Sequence, residues 1–183
     1  MIQRILHIYY NRIAVSVLTN PERTDMKLTS IFWLLLVALG CYGDVISDAQ
    51  RFIKSNESFR SHRYPDAKGF AIGYGFTDPK YTAKEYMSQK EADRILLEMV
   101  MDIDQYIDKT VRVDLSNNQR IALIDFIYQY GKTRFLNSYL RSLINYASED
   151  KVVMEMARYN KVNGEYNDGV AKRTQRRCLL WQK

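Results

Sequence analysis

Apolar residues recur at helical spacing along most of the chain after residue 44. The pattern predicts a first helix from Val45 to Ser55, which ends just before Glu57. A longer amphipathic stripe over residues 89–108 predicts a helix of roughly five turns. The segment after Ser116 is apolar nearly all round and stops at Gly131, so we expect this helix in the middle of a bundle.

The long helix and the segments after Gly131 complete the helical part of the pattern. Ser88 and Glu91 have the spacing of a capping box at the start of the long helix. Its acidic side chains fall away from the apolar stripe and predict a solvated face; they include Asp93, Glu98, Asp102 and Asp104. Further helices are predicted over 140–144 and 148–160, then a loop over 161–169 and a basic terminal helix.

One stretch breaks the helical pattern, between residues 60 and 77. A proline, three glycines and alternating aromatic residues predict short strands and turns there. The order is therefore a helix, a small β element and then about five helices. This order predicts one α+β unit, with a small β-sheet lobe and a helical lobe joined by the long 89–108 helix.

Residues 1–43 predict a leader. Lys27 precedes an apolar run of nine residues, Ile31 to Leu39, and Gly40 to Gly43 supplies small residues suited to cleavage. The run is shorter than the ~20 residues of a membrane span. We therefore expect an upstream extension and a signal peptide that begins at Met26.

The leader determines the predicted location. Cleavage gives a secreted protein with one functional domain over residues 44–183. Two alternatives remain open: lipidation of Cys41, or an uncleaved leader that tethers the protein to a membrane. No other part of the sequence predicts membrane contact.

Charge narrows the range of partners only slightly. Without residues 1–43, the chain keeps 23 Lys and Arg against 19 Asp and Glu, a net charge of +4. A modest positive charge suits anionic polymers in general. A basic nucleic-acid-binding protein is one alternative, but the sequence has no nucleic-acid motif and its leader argues against that role. We expect a monomer.

Cysteine and histidine usage argues against a metal site or a disulfide framework. The cysteines are Cys41, in the leader, and Cys178, which lies among apolar residues and is expected to be a buried thiol. The histidines are His7 and His62, so no cluster has metal-ligand spacing. We expect no metal and no other cofactor.

Two carboxylates flank the predicted strands. Glu57 follows the first helix, and Asp66 comes nine residues later, after Tyr64 and Pro65. Hydrolysis of a glycosidic bond needs one acid to protonate the leaving oxygen and a second to act at the anomeric carbon. Taken alone, the residues favour a helix-end carboxylate paired with Arg60 for Glu57 and a turn former for Asp66.

Several motifs, in order, resemble the phage-type lysozymes of glycoside hydrolase family 24. The opening motif is matched by Glu57-Ser-Phe-Arg60, Tyr64-Pro-Asp66 and Ala71-Ile-Gly-Tyr-Gly-Phe-Thr77. Residues 120–131 resemble the buried helix of the T-even phage enzyme and its Gln-x-Gly end. Phe135 to Ser138 and Gly169 to Arg173 follow two later family patterns. The resemblance covers nearly all of residues 46–183.

The resemblance implies a lysozyme-like fold and a muramidase that cleaves the β-1,4 bond between N-acetylmuramic acid and N-acetylglucosamine in bacterial peptidoglycan. Glu57 would be the catalytic acid, and Asp66 would stay ionised and orient the attacking water, with inversion at the anomeric carbon. Three further residues are candidates for substrate binding: Gln129, Tyr74 and Arg173. The alternatives are C-capping for Gln129, core packing for Tyr74 and a solvated basic helix for Arg173.

The chain departs from the family pattern at two positions. Ala71 stands in place of a threonine that helps to hold the attacking water, and Phe76 replaces a histidine. After a realignment, Thr77 and Lys68 are the candidates to take the place of the missing hydroxyl. These departures suggest a second hypothesis, a lysozyme-like peptidoglycan-binding protein with weakened turnover.

Overall fold

A computed structural model describes residues 45–66 and 69–183, and residues 45–183 form one compact unit. The predicted leader therefore lies outside the described residues. Residues 45–56 are helical (α1), as predicted, and Glu57 follows directly. Four of the five apolar positions of α1 are buried, namely Val45, Ile46, Ala49 and Ile53, so the helix is fixed against the core by its apolar face.

The small sheet occupies the stretch that breaks the helical pattern. Strands β1 (Arg60–Asp66) and β2 (Gly69–Gly73) pair antiparallel, with Tyr64 opposite Ala71 and Asp66 opposite Gly69. The register shifts between Arg60 and Tyr64. His62 also forms a bridge with Tyr86, which extends the pairing beyond the hairpin. The predicted strands and turns are confirmed.

A tight turn follows β2. The backbone N–H groups of Ile72 and Phe76 each donate to the other residue's carbonyl oxygen, at 3.1 and 2.9 Å. Gly73 and Gly75 within this turn have φ of +66° and +81°, a region in which a side chain is strained. The short helix α2 (Pro79–Thr82) then leads toward the helical part.

Two long helices form the centre of the helical part. Helix α3 (Gln89–Thr110) has 22 residues, and helix α4 (Asn117–Tyr130) has 14. The Ser88 hydroxyl caps α3, but Glu91 bonds Lys84 instead of returning to Ser88, so only half of the predicted capping box forms. Helix α4 begins with a complete capping box and ends at Gly131, and it is buried over residues 121–127, as expected for a central helix.

One predicted feature of α3 is wrong. Asp104 was expected on a solvated face, but its side chain is fully buried and accepts a hydrogen bond from Arg120 of α4. Arg120 also bonds the carboxylate of Asp108. We call Arg120, Asp104 and Asp108 the Arg120 cluster. A buried carboxylate requires such a partner, and the arginine comes from a helix that the periodicity of α3 does not reveal.

The remaining elements close around α4. Helices α5 (Lys132–Leu136), α6 (Tyr139–Tyr146) and α7 (Glu149–Ala157) precede the terminal helix α8 (Asp168–Trp181), which packs on α4 and α7. The predicted 161–169 loop is instead a hairpin, β3 (Lys161–Val162) and β4 (Glu165–Tyr166). Asn163 and Gly164 both have positive φ, which is the signature of a two-residue hairpin turn.

The described chain is thus mostly helical with small antiparallel sheets, which confirms the predicted fold class. Cys178 is a buried free thiol, as predicted. Over residues 45–66 and 69–183, no helix is both long and apolar enough to cross a bilayer.

Candidate active site

Glu57 lies where α1 ends and the sheet begins. Its backbone N–H donates to the carbonyl oxygen of Ile53 at 2.8 Å, which closes the last turn of the helix. Its side chain is 29% exposed, so the carboxylate is half-buried at the surface of the protein. A Cβ atom on Gly75 would lie 3.4 Å from Oε2 of Glu57, so the glycine lets the turn after β2 approach the carboxylate closely.

Arg173 of α8 is the ionic partner of Glu57. Its Nη1 donates to Oε1 of Glu57, and the arginine side chain is buried. The alternative of a solvated basic helix is therefore wrong for Arg173. Arg177 is also fully buried, whereas Lys172 and Arg176 are exposed. Burial opposes the charge of Arg173, but Asp125 and then Glu57 raise its pKa above the ordinary value, so the guanidinium stays charged.

The carboxylate of Asp125 lies between two arginines. Nη2 of Arg173 donates to its Oδ1 at 2.7 Å, and Nε and Nη2 of Arg177 donate to its Oδ2 at 2.9 and 2.6 Å. Asp125 is 0% exposed, Arg177 0% and Arg173 6%. We call these three residues the Asp125 cluster. Arginine is suited to this arrangement because its planar fork can hold two oxygens with defined geometry.

Gln129 lies one helical turn after Asp125 on α4 and is partly buried. Its side-chain oxygen accepts a hydrogen bond of 2.6 Å from Nη2 of Arg177. The end of α4 is capped by the backbone N–H of Gly131, which donates to Ile127, so the C-capping alternative for Gln129 does not hold. The side chain of Gln129 therefore lies beside the Asp125 cluster and is bonded to it through Arg177.

Asp66 has quite different surroundings. It is exposed at the end of β1, opposite Gly69, whereas Glu57 is half-buried before the start of the same strand. Tyr64 connects the two acids electrostatically. Burial raises the pKa of the Tyr64 phenol, Arg60 opposes the rise, and the charges of Glu57 and Asp66 add to it. The Arg60 guanidinium lies 4.3 Å from the centre of the Tyr64 ring, where a cation is attracted to an aromatic face.

Tyr74 is buried in the turn after β2, and its ring packs against Phe59 and Phe76. Its hydroxyl donates to Asp93 at 2.8 Å. Burial first, and then the hydrogen bond to Asp93, raise the pKa of this phenol. These contacts favour the core-packing alternative for Tyr74 over stacking on a sugar ring.

The two departures from the family pattern are both inside the protein. Ala71 is 1% exposed, and Phe76 packs so closely on Gly73 that a Cβ there would lie 2.7 Å from the phenylalanine ring. Of the candidate substitutes for the missing hydroxyl, Thr77 is exposed and Lys68 lies outside the described residues. Tyr64 is the cross-strand neighbour of Ala71.

Sequence reasoning missed two residues beside Glu57. Asp125 is the one acid in an otherwise apolar run. Its partners, Arg173 and Arg177, are four residues apart and therefore lie on one face of α8. Tyr128 donates to the carbonyl oxygen of Tyr74 at 2.6 Å, and burial followed by the charge of Glu57 raises its pKa. An acid inside an apolar helix was the available signal for Asp125, because such a charge needs a buried partner.

Comparison with known proteins gives the family of the chain. The phage lysozyme family matches residues 54–177. The endolysin of Bacillus phage B103 is 31% identical over 132 residues, which cover 70% of this chain and 50% of that protein. The chain thus spans about half the length of that relative.

Two solved structures share the fold. The muramidase domain of SpmX from Asticaccaulis excentricus gives a TM-score of 0.66 at 23% identity, over 74% of this chain and 95% of that one. The endolysin from Escherichia coli O157:H7 phage FAHEc1 gives 0.64 at 21% identity, over 73% and 89%. The family match covers more than half of the chain and includes Glu57, Asp66 and Arg173, so this protein belongs to the phage lysozyme family.

Proposed function

We propose that this protein is a muramidase that hydrolyses the β-1,4 bond between N-acetylmuramic acid and N-acetylglucosamine in peptidoglycan. One observation carries the proposal: Glu57 is half-buried against Arg173 and Gly75, inside the segment that the phage lysozyme family matches. Similar proteins that are named as an endolysin and a muramidase domain support the same reaction.

Glu57 is the proposed general acid. Its carboxyl group is buried enough to be held in one place, yet its exposed part can reach the leaving oxygen of a bound polysaccharide. Arg173 fixes the carboxyl group through Nη1, and Gly75 adds no side chain beside Oε2. In this role Arg173 acts on Glu57 rather than on the sugar.

Asp66 is the proposed second carboxylate. Its exposed position makes it accessible to a substrate, and in this role it stabilises positive charge on the sugar and orients the attacking water. We propose the inverting course, in which the two carboxyl groups stand roughly 6.5–9.5 Å apart with a water between them. Gln129 uses its side-chain oxygen for Arg177, so its amide N–H groups are the proposed contact with the substrate.

Hydrolysis by the full chain tests the proposal. The purified protein is incubated with peptidoglycan and new reducing ends are counted, beside Glu57→Gln and a matched control, Glu98→Gln, at an exposed acid of α3. We expect the wild type and Glu98→Gln to release reducing ends at equal rates and Glu57→Gln to lose at least about a thousandfold in rate. Equal rates for all three proteins would exclude Glu57 as the acid.

Ala71 favours one alternative function. A buried alanine cannot hold the attacking water, and loss of one positioning contact costs on the order of a hundredfold in rate. The alternative is a lysozyme-like protein that binds peptidoglycan without turnover. Co-sedimentation with insoluble peptidoglycan, without release of reducing ends from either wild type or Glu57→Gln, would support it.

The predicted leader gives the proposed location. We propose secretion after cleavage near Gly43, with activity as a monomer on the bacterial cell wall. N-terminal sequencing of the native protein would distinguish this from an uncleaved leader that holds the protein at a membrane. Light scattering would give the number of chains per particle.

A further inference from the structure

Asp125 holds the arginine that holds Glu57. Nε and Nη2 of Arg173 face the Asp125 carboxylate, at 3.2 and 2.7 Å from Oδ1, while Nη1 of the same guanidinium donates to Glu57. The guanidinium is planar and rigid, so the direction of Nη1 is fixed once the other two nitrogens are bound. The position of Glu57 therefore depends on Asp125, because Arg173 binds both carboxylates.

Arg177 competes with Arg173 for the carboxylate of Asp125. It donates to Oδ2 through Nε and Nη2 and continues to Gln129, and its guanidinium lies 5.5 Å from the centre of the Phe126 ring. The Asp125 carboxylate thus neutralises one of two buried positive charges. With Glu57 ionised, the two acids balance the two arginines, and a proton on Glu57 leaves one positive charge in excess.

Other groups around Glu57 do not change this balance. Tyr128 of α4 and Tyr64 of β1 face it, and burial raises the pKa of both phenols, so both are neutral near neutral pH. The charges nearest to Tyr64 besides Glu57 are those of Arg60 and Asp66 on the exposed hairpin, where solvent screens them. Arg173 is therefore the one buried charge from the described elements that contacts Glu57 directly.

We propose that Asp125 is a positioning residue for Glu57. Asp125 orients Arg173 and offsets the charge of Arg173, so that Glu57 can hold a proton. The inference rests on the proposed general-acid role of Glu57. A general acid must be protonated when it meets the substrate, and an arginine beside it opposes that state. Sharing Arg173 with a buried carboxylate weakens this opposition, because charges interact strongly where solvent is excluded.

Asp125→Asn tests the proposal, because it keeps the shape of the side chain and removes its charge. We expect kcat on soluble peptidoglycan fragments to fall by about tenfold or more, KM to stay within about twofold, and the alkaline limb of the pH–kcat profile to move to lower pH by about one unit. The matched control is Asp104→Asn, which removes the charge of a buried aspartate from the Arg120 cluster. This control should leave the pH profile in place.

A variant that should shift the pH profile in the opposite direction distinguishes an electrostatic effect from a structural one. Arg177→Gln removes the competing positive charge and leaves Asp125 to Arg173 alone, so the alkaline limb should move to higher pH. Shifts of the same sign in Asp125→Asn and Arg177→Gln, or no shift in either, would overturn the proposal.

A measurement without substrate separates this proposal from the proposed function. The carboxyl groups of the full chain are labelled with 13C and titrated by NMR, and Glu57 is assigned from the spectrum of Glu57→Gln. Asp125→Asn should move the midpoint of the Glu57 titration to lower pH by about one unit, whether or not the wild type hydrolyses peptidoglycan. An unmoved midpoint would contradict the role of Asp125, whereas a moved midpoint without turnover would contradict only the enzymatic function.

Discussion

Two arginine–carboxylate clusters in the described residues have opposite compositions. The Asp125 cluster places one carboxylate between two arginines, whereas the Arg120 cluster places one arginine between two carboxylates. Both join α4 to another helix. The Asp125 cluster has an excess of positive charge, and Glu57 supplies the missing carboxylate from outside. Within the part of the chain that the structure describes, the ion pairs of the Arg120 cluster join α4 to α3 and do not include Glu57. The same chemistry thus serves the proposed site in one place and the scaffold in the other.

The largest effect is expected from Arg173→Met. This change leaves Asp125 with one arginine and Glu57 with none, and loss of one partner from a buried ionic group costs about 3–5 kcal/mol. Urea unfolding of the variant measures the cost. Arg176→Met, at the exposed neighbour on α8, is the control and should stay within about 0.5 kcal/mol of the wild type. Equal stabilities for the two variants would contradict the importance of the Asp125 cluster.

Asp66→Asn should separate activity from stability. Asp66 is exposed and belongs to neither cluster, so its loss should change the free energy of unfolding by less than about 0.5 kcal/mol. The rate of reducing-end release should fall by about a hundredfold or more, because water positioning and charge stabilisation are lost together. Asp114→Asn, at another exposed acid, should leave both quantities unchanged. An active Asp66→Asn would remove Asp66 from the proposed mechanism.

Asp104→Asn should lower stability and leave activity unchanged. Asp104 is fully buried against Arg120, and weakening this bond should cost about 1–3 kcal/mol of unfolding free energy. The kcat of the folded variant should equal that of the wild type, because the ion pair of Asp104 with Arg120 joins α3 to α4 and does not involve Glu57. Asp102→Asn, at an exposed position of the same helix, controls for the change of charge. A large loss of kcat without loss of stability would mean that the two clusters are not functionally distinct.

The smallest effect is expected from Tyr74→Phe. Burial of Asp93 works to raise its pKa, but hydrogen bonds from Lys54 and Tyr74 lower the pKa below the ordinary value. Such a carboxylate stabilises the fold above its unfolded pKa of about 4, and this stabilisation is lost as the pH falls through the folded pKa.

Removal of the Tyr74 hydroxyl should therefore cost about 0.5–1.5 kcal/mol near neutral pH and less in acid, as measured by urea unfolding at a series of pH values. Tyr139→Phe, at an exposed tyrosine, should show no difference at any pH. A cost for Tyr74→Phe that is the same at every pH would show that the ionised form of Asp93 is not what the hydroxyl stabilises.

The fold was predictable because each main element has a local cause. The apolar stripe of α3, the all-round apolar character of α4 and the glycines after β2 determine their structures without reference to distant residues. The prediction of a loop over 161–169 was wrong because the Asn163-Gly164 turn signal was overlooked, although it too is local.

The surroundings of the candidate site were less predictable, because they depend on pairs far apart in the chain. Asp104 was predicted on a solvated face, and a solvated basic helix was the alternative for Arg173. Both residues are instead buried against a partner on α4. A helical period shows which side of a helix is polar, but not whether a second helix supplies the complementary charge. The motif that contains Glu57 and Asp66 identified the candidate acids, but not the buried carboxylate behind them.

The bond between Arg173 and Glu57 joins residues 116 positions apart, and this separation has a consequence for biosynthesis. A ribosome that has just completed the strands has made both proposed catalytic acids, but not the helix that orients the first of them. Contacts of such long range form late, since the intervening chain must first be ordered. A copy that ends before Arg173 therefore lacks the side chain that orients Glu57, and under the proposed function it would have no assembled site.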